Sequence, residues 1–68
     1  MNNSIQDQAN LEEFLFEVQN KLAVTEIQSE KAIVRTVSVN CYQLFINGKI
    51  ESAELCDKFS ELLLEVGV

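Results

Sequence analysis

Histidine, proline and tryptophan are absent, and only two glycines and two cysteines occur in 68 residues. Each shortage removes a class of chemistry or structure. Without histidine the chain lacks the commonest general base and metal ligand, and two cysteines are too few for a structural zinc site. No metal and no cofactor are therefore expected. A serine or cysteine nucleophile would have no imidazole to activate it, and neither glycine belongs to a phosphate-cradling loop, so the chain is not expected to be an enzyme. Carboxylate pairs at i, i+4 spacing do occur, for instance Glu13 with Glu17 and Glu61 with Glu65. On an acidic amphipathic helix such pairs form a solvated face.

Missing proline and scarce glycine also bear on fold class, because β-rich domains need frequent turn punctuation and helices do without it. The chain is well supplied with what helices need. Hydrophobic residues make up 47%, enough to fold. A chain this short buries only about 60% of the surface its unfolded form exposes, so a lone core is marginal. Disulfides, metals and self-association are the usual supports for small folds, and the composition leaves self-association.

Basic residues are few as well: five against eleven acidic ones, for a net charge of −6. Direct nucleic-acid binding through phosphate neutralisation is not expected. The acidity serves solubility, or, as an alternative function, an acidic inhibitor that mimics nucleic acid and blocks a basic groove of another protein. No apolar run approaches the ~18 residues of a membrane span, so no membrane partner is expected. Cys41 and Cys56 form no CxxC and follow a polar start at Met1–Gln8 that lacks the features of a signal peptide. The expected localisation is cytoplasmic, with both thiols reduced.

Residues 1–9 show no periodicity and read as a flexible leader to a single helical domain over 10–68. Asn10 with Glu13 resembles a capping box, and Leu11, Phe14, Leu15, Val18 and Leu22 recur at helical spacing, which predicts a helix over about 11–23. Thr25 with Gln28 suggests a second box opening a helix over about 26–46, with Asn47-Gly48 as its stop. Its core face is Ile27, Ile33, Val34, Val37, Cys41, Leu44 and Phe45. Glu51 or Ser52 caps a third helix over about 52–66, with Leu55, Cys56, Phe59, Leu62, Leu63 and Val66 as its apolar stripe and Gly67 as its end. The expected fold is all-α, a compact three-helix unit that dimerises. The alternative is α+β with a short hairpin around Asn47-Gly48, because the middle segment is rich in β-branched residues.

The middle helix carries more apolar surface than one core face uses. Ala32, Val39, Tyr42 and Ile46 fall on a second arc at steps of seven, three and four, with Arg35 on the same arc. Phe16 and Leu64 on the flanking helices also lie off their stripes. The arc is either sandwiched between helices one and three or open to a partner, and surplus apolar surface favours a partner. The expected function is a small cytosolic helical protein-interaction module, a regulator or adaptor. It would self-associate, as a homodimer, or bind another protein through Ala32, Arg35, Val39, Tyr42 and Ile46.

Overall fold

The computed structural model describes residues 4–68 as three helices and a short 3-10 turn, with no strand among them. The helices are α1 (Ser4–Val24), α2 (Gln28–Ile46) and α3 (Leu55–Val66), with the 3-10 turn at Ser52–Glu54 leading into α3. The all-α three-helix unit expected from periodicity is the observed architecture.

One core holds it together. Phe14 and Val18 of α1 meet Val34, Val37 and Cys41 of α2 and Leu55, Phe59 and Leu63 of α3, all buried. Every one of these lies on a stripe that the spacing of apolar residues assigns to the core. Phe14 and Phe59 pack edge to face with ring centroids 5.8 Å apart, the arrangement that sets a positive ring edge against a negative face.

Both helix ends with glycine follow from the sequence. Gly48 adopts φ 75° and Gly67 φ 80°, in open space, so glycine is required by the backbone rather than by crowding. Past α2 the Lys49 N–H donates to the Leu44 carbonyl at 2.8 Å and the Gly48 N–H to the Phe45 carbonyl at 3.0 Å. This is a Schellman closure, and Ile50 packs back on the core beyond it. Glu51 opens the 3-10 turn, its N–H donating to Glu54 Oε1 at 2.8 Å.

The two upstream caps are corrected. Helix α1 already runs at Ser4, so Asn10 lies inside it, and residues 4–9 of the expected leader are helical; Met1–Asn3 lie outside the described residues. The Asn10 side chain donates from Nδ2 to Ser52 Oγ at 3.0 Å, and Ser52 Oγ donates in turn to Asp7 Oδ1 at 2.6 Å. This link across more than forty residues ties the early turns of α1 to the start of the last helical segment. Thr25 likewise caps nothing ahead of it. Its hydroxyl donates back to the Lys21 carbonyl at 2.6 Å, closing α1, while α2 starts after Ile27 with no side-chain cap.

Ser52 is buried and its two hydrogen bonds satisfy it fully. Ser52→Ala leaves Asp7 and Asn10 without that partner and is expected to lower stability by about 1–2 kcal/mol. Urea unfolding measures the loss, and faster amide exchange should be confined to the first turns of α1. Unchanged stability and exchange would show that the link holds nothing in place.

Candidate interaction surface

The molecule is flat, with extents of 41 × 20 × 14 Å. Helix α2 is covered on one side, where Val34, Val37 and Cys41 are buried against α1 and α3. Its inner face meets the core and its outer arc stays open. Val39 is 57%, Tyr42 42% and Ile46 56% exposed, and Ala32 and Arg35 are exposed beside them.

Where α1 runs beside α2, this arc descends into an apolar groove of about 410 Å³. Leu11, Leu15 and Val18 line one wall, and Ser38, Val39 and Tyr42 the other. Of the five arc residues, Val39 and Tyr42 line the groove, and Ala32, Arg35 and Ile46 continue the same side of α2 beyond it. The Tyr42 ring leans at 42° on Phe45, centroids 6.2 Å apart, and Phe45 packs on the core. The contact fixes an aromatic side chain at the groove's edge.

Leu15 belongs to this surface although its place in the α1 periodicity assigns it to the core. It is 54% exposed. Phe14 and Leu15 are neighbours about 100° apart on the helix, and the narrow core admits only Phe14. Ile27 and Ile33 are exposed for the same reason, at the margin of an arc wider than the two neighbouring helices cover.

A second groove, of about 460 Å³, lies between α1 and α3 with Val24 and Leu64 on its lining. Glu17 and Lys21 stand on that lining too. The α1–α2 groove holds no charged side chain. An apolar partner therefore gains more there, because it strips water from no ion.

Charge is distributed to match. All eleven acidic residues fall in 7–30 and 51–65, and none in 31–50, which carries Lys31, Arg35 and Lys49. Helix α2 carries a single carboxylate, Glu30 in its first turn, and its open apolar arc from Ala32 to Ile46 carries none. This asymmetry is visible in the sequence once the helix boundaries are fixed.

The two thiols are inward or half-covered, and neither is paired. Burial pushes the Cys41 thiol above its ordinary 9.0, with Lys58 opposing, and pushes Cys56 up too, helped by Glu13, Glu17 and Asp57. Lys58 is raised by its hydrogen bond to Glu61, the pair standing at 3.1 Å. The folded chain holds these protons to higher pH than the unfolded chain does. Their contribution to stability is thus complete below the ordinary values and is lost as pH rises from 9.0 upward. Urea unfolding is expected to show stability falling through that alkaline window, and a rise there would contradict the assignment. Both thiols should also react slowly with alkylating reagents at neutral pH.

Among the described residues no group of three potential metal ligands comes together, and no helix is long and apolar enough to cross a membrane. Comparison with protein families, with curated proteins and with solved structures finds no match to this chain.

Proposed function

We propose that this chain is a small cytosolic protein-interaction module, a regulator or adaptor, that self-associates through the outer face of α2. The observation that carries the reading is the open, ion-free apolar groove of Leu11, Leu15, Val18, Val39 and Tyr42 beside an exposed arc of α2. Such a surface has a cost in a lone 68-residue chain, whose core is small. Covering it adds buried apolar area at about 25 cal/mol per Å². An arc free of carboxylates, on a helix whose one acidic residue is Glu30 in its first turn, is also where two copies of a −6 chain approach with least repulsion. Buried, unpaired Cys41 suits a reducing compartment.

An acidic mimic of nucleic acid has weaker support. Lys58 pairs with Glu61 in the middle of the α3 carboxylates and interrupts them. Sedimentation decides for self-association: the wild-type chain is expected at twice 7.7 kDa across micromolar concentrations, and Val39→Glu at 7.7 kDa. A wild-type chain that stays at 7.7 kDa throughout would refute the proposal.

A further inference from the structure

Resting on the self-association reading, the geometry points to a specific dimer: two α2 helices packed antiparallel about a two-fold axis at Val39, with Arg35 of each copy over Tyr42 of the other. Ala32 and Ile46 each lie seven residues from Val39. At 1.5 Å per residue, both are about 10 Å from the axis. The antiparallel arrangement therefore sets the smallest residue of the arc against a large one, Ala32 against Ile46 of the second copy, twice. Arg35 is four residues and Tyr42 three residues from the axis on opposite sides, so rotation brings each Arg35 position level, within about one residue rise along the helix axis, with the other copy's Tyr42 position. A guanidinium over an aromatic face is attractive, and Tyr42 is held at the groove edge by Phe45.

Charge and size both exclude the parallel arrangement. In register it would oppose Arg35 to Arg35 and Ala32 to Ala32, a like-charge contact and a gap on one interface. In the antiparallel one the two Arg35 positions are about 12 Å apart along the axis. Glu30, the one acidic residue of α2, stands five residues before Arg35 and about 140° away around the helix, so no carboxylate of α2 competes with the ring for Arg35. A two-fold contact of this kind closes on itself, so association stops at two copies.

Cysteine cross-linking of the full chain reads the register. Ala32→Cys and Ile46→Cys variants, one isotopically labelled, are mixed and oxidised, with the wild-type chain as the control for its own two thiols. The expected product is the mixed Cys pair between the two variants, with neither variant linking to itself above control. Arg35→Ala should weaken the dimer about fivefold, measured by sedimentation, and Thr36→Ala on the same helix should not. A wild-type dimer in which Ala32→Cys links to itself, or in which Arg35→Ala changes nothing, would overturn the register while leaving self-association standing. A wild-type monomer would overturn both and leave the face to a different protein.

Discussion

Phe14→Ala is expected to leave the chain largely unfolded at room temperature. Phe14 is 2% exposed and sits edge to face on Phe59 at the point where all three helices meet. Removing a buried phenylalanine costs about 3–5 kcal/mol, the lost transfer energy plus the cavity left behind. At roughly 0.05–0.15 kcal/mol per residue, a domain of this size has a total stability of only about 3–10 kcal/mol. The substitution consumes most of that. Phe16→Ala, two positions along the same helix, is the matched control: its ring is 61% exposed and its loss should fall within about 0.5 kcal/mol. Urea unfolding followed by circular dichroism compares the two, and equal losses would mean that the core is misplaced.

Val39→Glu is expected to abolish self-association with the fold intact. Val39 is more than half exposed, so the monomer loses little packing, and glutamate favours a helix at least as well as valine. In the dimer the position lies on the two-fold axis, where each new carboxylate meets its own copy in an apolar surround. Juxtaposed like charges cost several kcal/mol, which corresponds to an affinity loss of about a hundredfold or more. The variant should melt as the dissociated wild type does and sediment as a monomer. A variant that still dimerises would place the contact elsewhere on the surface, and one that fails to fold would place Val39 in the core.

Much of the fold is legible in the sequence because it rests on local signals. Apolar periodicity marks every buried hydrophobic residue, and Gly48 and Gly67 end their helices by a backbone conformation that only glycine takes easily. The β-branched run from Ile33 to Val39 is helical nonetheless, since its 3.6-residue spacing buries Val34, Val37 and Cys41 together and packing outweighs propensity.

What the sequence misplaces depends on distant partners or on the width of the core. Asn10 has the form of a cap, yet its side chain is committed to Ser52, and nothing near residue 10 announces that. Thr25 has two helix ends within reach, and the hydroxyl takes the one behind it. Leu15, Ile27 and Ile33 satisfy a helical wheel, but two neighbouring helices cover a narrower arc than the wheel assigns. The candidate surface was legible in its centre, at Val39 and Tyr42, and not in its second wall. Leu15 joins it only once α1 and α2 lie side by side.

An interface between two copies of the chain at the outer face of α2 predicts which amides respond to dilution. Amide chemical shifts followed on dilution test it residue by residue. The expected result is a concentration-dependent set of shifts that centres on Ala32, Arg35, Val39, Tyr42 and Ile46, extends to Leu15, and spares the outer face of α3. Shifts that do not move on dilution, or that move on α3 alone, would contradict it.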